Sequence, residues 1–221
     1  MRDAVIQREE EETNSTPAPQ DQRPAGGERR RGRGRRPQAE VRADILLAAG
    51  RLLFQDGMAA FTIEGVAARA GASKTTIYKW WDSKGALALD GYFHAVEETL
   101  AFPDSGNVID DLRTQLRAFV HLVTKTAAGK VIAELVGAAQ TDPVLADALH
   151  RLYSGPRLAL AVEAMKRAKA RGQLRADLDA EAVVDQLWGA CYHRLLLTGL
   201  PLTEQFVDQL LRNLTVGIER D

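Results

Sequence analysis

Between Thr62 and Lys84 the chain gathers hydroxyl and ammonium groups at a spacing suited to nucleic acid: Thr62, Ser73, Lys74, Thr75, Thr76, Tyr78, Lys79 and Lys84. On a short helix Lys74, Thr75, Thr76, Tyr78 and Lys79 turn outward, while Ile77 and Trp81, four apart, face a core. Donors at the N-terminal end of such a helix reach base edges in a major groove, and hydroxyls and ammonium groups along its flanks reach phosphates. The same pattern would also serve an ordinary polar surface helix in a small bundle.

The segments around it must supply the positioning. Thr62 suits an N-cap, with Phe61 and Val66 as a hydrophobic staple across it. Gly71 can take the left-handed conformation that closes this helix, and Ser73 then caps the next one. Two short helices with a sharp turn between them form a helix-turn-helix. Upstream, Val41, Ile45, Ala48 or Ala49, Leu52 and Leu53 recur at helical spacing, with Gly57 placed to end that helix.

In order and spacing, Arg42, Ile45-Leu46, Ala48-Ala49, Leu53-Phe54, Gly57, Thr62, Val66-Ala67, the run Ala70 to Tyr78, Trp81, Ser83-Lys84 and Leu87 resemble the DNA-binding domain of TetR-family transcriptional regulators. The resemblance implies that Thr62 contacts a phosphate, that Lys74 and Thr75 read bases, and that Thr76, Tyr78 and Lys84 bind backbone phosphates. Arg42 is a further phosphate candidate. Thr75 stands where the family often has Gly, and Trp80-Trp81 replaces a common His-Phe pair.

The whole-chain charge conceals this head. Among 221 residues, 29 Lys+Arg against 30 Asp+Glu give −1, which alone argues against a nucleic-acid binder. By segment the balance is −4 for residues 1–22, +7 for 23–84 and −4 for 85–221, the asymmetry expected when one segment meets a polyanion. Residues 1–37 are poor in large apolar side chains and read as a disordered tail. Within it Arg29 to Arg36 form a basic arm whose Arg33-Gly34-Arg35 core resembles a minor-groove hook, or adds only nonspecific phosphate attraction.

Beyond the head the pattern remains helical: after Ser83 through Leu100, then about 108–128, 130–140, 143–171 with a kink or split at Gly155-Pro156, 179–198 and 203–219. No period-2 run, hairpin signal or internal repeat appears, so the fold class is all-α. The expected organisation is the tail at 1–37, a three-helix helix-turn-helix domain at 38–84, and a larger helical effector-binding and dimerisation domain at 85–221.

The last two helices are apolar on more than one face, which suits either a single core or a second subunit. The resemblance implies a four-helix dimer interface there, for which Leu187, Cys191, Leu195, Phe206, Leu210 and Leu214 are the candidates. Polar or aromatic residues that interrupt apolar helices are the candidates for a ligand pocket, each equally readable as a satisfied core side chain: Tyr92, Phe119, His121, Glu134, Gln140, Trp188, Tyr192 and His193.

Other functions leave no trace. There is no Gly-x-Ser-x-Gly, His-Glu-x-x-His or phosphate-cradling glycine motif, so no catalysis and no cofactor are expected. Cys191 is the only cysteine, which excludes an intramolecular disulfide or a cysteine-based zinc site. His94 with Glu97 and Glu98 has metal-like spacing, but such pairs are commonplace on surface helices, and no metal is expected. Without a long apolar run or a signal-like N-terminus, a cytoplasmic protein with no membrane partner is expected. The combined expectation is a dimeric repressor that binds palindromic double-stranded DNA and is released by a small-molecule effector. An architectural or ligand-independent DNA-binding protein is the alternative.

Overall fold

The helix that opens the fold, α1 (Gln38–Ala60), buries Ile45, Ala49, Leu52 and Leu53 along one face. The computed structural model describes residues 36–217. Gly57 has φ +74°, so the regular part of α1 stops there, as its placement in the sequence predicts. α2 (Ile63–Ala70) and α3 (Lys74–Tyr78) complete the head. Thr62 Oγ1 accepts from Gly65 N–H at 3.0 Å, and Ser73 Oγ accepts from Thr76 N–H at 3.0 Å. Between them Gly71 adopts φ +61° and Ala72 N–H returns to the Ala67 carbonyl at 3.0 Å, which ends α2 and swings the chain into α3.

α4 (Lys84–Val96) follows, capped by Ser83, whose Oγ accepts from Ala86 N–H at 3.0 Å. It is buried on most of its surface. Against α1 the crossing is close: a Cβ on Gly91 would stand 2.6 Å from Ala49 Cβ and 3.1 Å from the Gly50 nitrogen. Only glycine permits that approach. A further turn carries the chain to Leu100, whose N–H bonds the Val96 carbonyl at 3.0 Å.

The body comprises α5 (Val108–Lys125), α6 (Ala128–Ala139), α7 (Pro143–Leu149), α8 (Gly155–Ala170), α9 (Ala180–His193) and α10 (Glu204–Val216). Every regular element among the described residues is helical. Asn107, Asp142, Asp179 and Thr203 cap α5, α7, α9 and α10 through their side-chain oxygens. α7 and α8 form one path, joined by a π turn at His150–Ser154 rather than by a break. Pro156 has no N–H to offer the preceding turn, and the wider register lets Gly155 N–H bond the His150 carbonyl instead. A second π turn, Arg194–Thr198, extends α9 and stops at Gly199, φ +63°. α10 lies against α5, with Val207 and Leu211 buried and Arg117 bonded to Asp208 at 2.7 Å.

One continuous core joins Phe61 and Ile77 of the head to Leu116, Ile132 and Leu187 of the body.

Candidate nucleic-acid interface and ligand cavity

α3 displays its donors by local chemistry. Ile77 is fully buried and Trp81 nearly so, which leaves Ser73, Lys74, Thr75, Tyr78 and Lys79 exposed. Thr76 is half-buried, its hydroxyl within 2.8 Å of Ser73 Oγ. Thr62 and Lys84 are also exposed, at the starts of α2 and α4. Lys74 Nζ reaches Glu64 at 3.0 Å; a hydrogen bond within Glu64 itself and this lysine lower the Glu64 carboxyl below its ordinary range. A phosphate or base edge that takes Lys74 must displace that contact.

Arg42 has a structural engagement that spacing did not show. Its Nη2 donates to Asp90 at 2.6 Å and its guanidinium lies 5.4 Å from the Trp81 ring centroid. Trp81 Nε1 donates to the same Asp90 oxygen at 2.9 Å. The carboxylate thus ties the start of α1, the segment just after α3 and α4 into one cluster. Arg33 and Arg35 lie outside the described residues.

A cavity of about 290 Å³ opens between the π turn, α8 and α9, lined by Phe102, Tyr153, Arg157, Leu158, Trp188 and Tyr192 among others. Tyr153 and Tyr192 hydrogen-bond through their hydroxyls. Phe93 stacks on Tyr153 with centroids 4.3 Å apart, and Phe119 backs Tyr192 at 5.3 Å. Desolvation raises all three nearby phenols, Tyr92, Tyr153 and Tyr192, above their ordinary value, so each stays protonated. Arg157 Nη1 donates to the Leu100 carbonyl at 2.9 Å, and Gln115 Nε2 donates to that same oxygen at 2.8 Å. The point where the α4 segment enters the body is therefore held by a residue of the cavity.

Of the eight candidate pocket residues, Trp188 and Tyr192 line this cavity. Tyr92 and Phe119 are buried in the core and outside its lining, and the Tyr92 hydroxyl has no partner among the described residues. Glu134 instead accepts from Met58 N–H at 3.3 Å, fastening the end of α1 to α6. His121 is exposed. Gln140 and His193, also exposed, border a shallow groove with Leu195, Leu196 and Leu197. Sequence reasoning missed Phe102, Tyr153 and Arg157; the available signal was the aromatic residue just before Gly155-Pro156, since helix interruptions of the π kind gather at functional sites.

The dimer candidates divide in the same way. Leu187 and Cys191 are in the protomer's own core, at 1% and 0% exposure, and cannot face a second subunit. Helical periodicity marks an apolar stripe without saying which neighbour covers it. Leu195, Phe206, Leu210 and Leu214 are half-buried, while Leu196, Leu197 and Leu200 are exposed and extend that apolar surface.

Among the described residues no group of three or more His, Cys, Asp or Glu is placed to hold a metal, and no helix is long and apolar enough to cross a membrane. His94 comes within 3.8 Å of Glu97 as a surface pair.

Comparison with known proteins agrees with this architecture. Residues 45–90 match the family described as bacterial regulatory proteins, tetR family, and residues 102–214 match the tetracyclin repressor-like C-terminal domain. The chain is 34% identical over 187 residues to the uncharacterized HTH-type transcriptional regulator YdeS of Bacillus subtilis (strain 168), covering 85% of this chain and 94% of the relative. It is 32% identical over 188 residues to the DNA-binding transcriptional repressor TetR of Mycobacteroides abscessus, covering 82% and 95%. The crystal structure of TetR family transcription regulator SCO0332 superposes with TM-score 0.79 at 56% identity, covering 82% of this chain and all of that one.

Proposed function

Given that the chain belongs to the TetR family of bacterial transcriptional regulators, we propose that it acts as a dimeric repressor that binds a palindromic operator and is released by a small molecule. The observation that carries the reading is the capped α3, whose exposed Lys74, Thr75, Tyr78 and Lys79 are backed by a buried Ile77 and a Trp81 bonded to α4. Lys74 and Thr75, on the first turn of α3, read bases; Thr62, Ser73, Thr76, Tyr78, Lys79 and Lys84 position the helix on phosphates. Two such heads on one duplex require a two-fold pairing of subunits, for which the apolar surface of Leu195, Leu196, Leu197, Leu200, Phe206 and Leu210 is the proposed contact.

Release follows from packing. The α1–α4 crossing is too close to slide at Gly50 and Gly91, so a displacement of α4 is transmitted to the head as a rigid movement. A ligand that favours another position of Leu100 and α4 shifts the population toward a spacing of heads that no longer fits successive major grooves.

Selection of duplexes from a random pool, followed by footprinting, tests this reading. Two half-sites about 10 base pairs apart centre to centre, or a multiple of that spacing, related by a dyad, are expected. A lack of discrete sites would favour an architectural role and overturn the repressor reading. We also propose that the arginine arm adds phosphate contacts. Deleting residues 1–37 then lowers affinity and flattens its dependence on salt, whereas an unchanged slope means the arginines do not touch DNA.

A further inference from the structure

We infer that the cavity between α8 and α9 takes a small aromatic acid, its ring set among Phe102, Tyr153, Trp188 and Tyr192 and its carboxylate paired with Arg157. The regulatory meaning rests on the effector reading above, although the binding does not.

Arginines that pack along the body have carboxylates to meet: Arg171 and Arg167 share Asp104 at 2.6 and 3.2 Å, and Arg117 meets Asp208 at 2.7 Å. Arg194 and Arg157 do not, but Arg194 lies over the Phe206 ring, 3.5 Å from its centroid, whereas Arg157 lines the cavity. Among the described residues no carboxylate lies within ion-pair distance, and its one protein acceptor is the Leu100 carbonyl. Burial pulls its guanidinium below the ordinary value, and the ionisable groups that bear on it are Tyr153, Tyr192 and Tyr92, all neutral phenols. A cation drawn out of water is normally paired, and arginine cannot escape by losing its proton. Arg157 is half-buried, and the donors it does not spend on Leu100 are left for an anion from outside the chain. Asp185 and His150 also border the cavity, but both are exposed, so neither is a desolvated charge that could balance Arg157.

Shape supplies the other half. At about 290 Å³ the space lies at the small end of ligand sites, which suits a compact ring system rather than a long chain. Its walls are aromatic and fixed: Phe102 and Trp188 have centroids 6.5 Å apart, and Tyr153 and Tyr192 are each backed by a phenylalanine. Offset or edge-on ring contacts favour a planar guest. The Tyr153–Tyr192 hydroxyl pair can turn a donor toward a carboxylate oxygen. An anion at Arg157 competes with the Leu100 carbonyl for the guanidinium, and so loosens the point where the α4 segment joins the body.

Calorimetric titration of the full-length protein with benzoate, naphthoate and biphenyl carboxylate, each beside its neutral carboxamide, tests the inference. At least one acid binds and its amide binds at least about tenfold more weakly, the loss of one charge-assisted hydrogen bond. Arg157→Gln closes the gap between acid and amide. Arg157→Lys, which keeps the cation, retains part of it and guards against a glutamine variant that fails to fold. Binding by none of the acids, equal binding by acid and amide, or a gap that survives in the glutamine variant overturns the inference; tighter binding of decanoate than of any ring acid overturns its aromatic half. An acid that binds yet leaves DNA affinity unchanged sinks the effector reading and leaves the ligand assignment standing. A neutral compound that fills the cavity in preference to every acid and releases DNA does the reverse.

Discussion

Lys74, Thr75 and Tyr78 on the five-residue α3, with Lys79 just beyond it, stand in water, whereas in the cavity Tyr153 is buried and Arg157 and Tyr192 are half-buried by packing. Displaying a donor to solvent costs little, so the head needs only a cap, a turn and an apolar anchor, all within about twenty residues of one another. A desolvated polar group is costly unless partnered. The cavity therefore draws Phe102, Arg157 and Tyr192 from elements far apart in the chain and keeps room for what completes it. On the proposed reading the head binds by exchanging one surface contact, that of Lys74 with Glu64, while the cavity is the place where a ligand changes the energy balance. The two are joined at α1 and α4, where Asp90 holds Arg42 and Trp81 and where Gly91 lies against Ala49.

That contrast fails if the junction is not the rigid part. Trp81→Ala removes a buried anchor and is expected to cost about 3–5 kcal/mol of stability, abolishing DNA binding with it; Trp81→Phe, which loses chiefly the bond to Asp90, costs about 1 kcal/mol. Chemical denaturation followed by both tryptophan fluorescence and circular dichroism checks this, and a single shared transition is expected because one core spans head and body. Two separated transitions would mean that the head can move without the body. Gly91→Ala places a methyl group 2.6 Å from Ala49 Cβ and is expected to cost about 1–3 kcal/mol as α1 and α4 are pushed apart.

Surface substitutions on α3 should behave in the opposite sense. Lys74→Ala is expected to weaken operator binding by about 1–3 kcal/mol and relax specificity, while melting stays within about 0.5 kcal/mol of the parent protein. Tyr78→Phe should weaken binding evenly across sequences, as a phosphate contact does. Ser73→Ala loses the bond from Thr76 N–H and costs about 1 kcal/mol of stability. Comparable loss of binding and of stability in Lys74→Ala would show that this residue is structural.

The head was legible because its determinants are local. Thr62, Gly71 and Ser73 each do in the structure what their type and position imply, and Gly57 stops the regular part of α1. Helix positions in the body were legible for the same reason, down to the interruption beside Gly155-Pro156, although the chain meets it with a π turn rather than a break. Tertiary convergence was not legible. Leu187 and Cys191 belong to an apolar stripe that could have faced a partner, and only packing shows that they face their own core; burial lifts the Cys191 thiol to about 12, which leaves it protonated and unreactive at neutral pH. Arg157 escaped notice because an arginine in an amphipathic helix ordinarily marks the solvent side.

The proposed release by an effector requires energetic coupling of the cavity to the head through α4. It is tested most directly by measuring the affinity of a cavity-binding aromatic acid for the free protein and for the protein saturated with its selected duplex. Weaker binding on DNA is expected, by the same factor by which the acid weakens DNA binding; one affinity in both states would rule the coupling out.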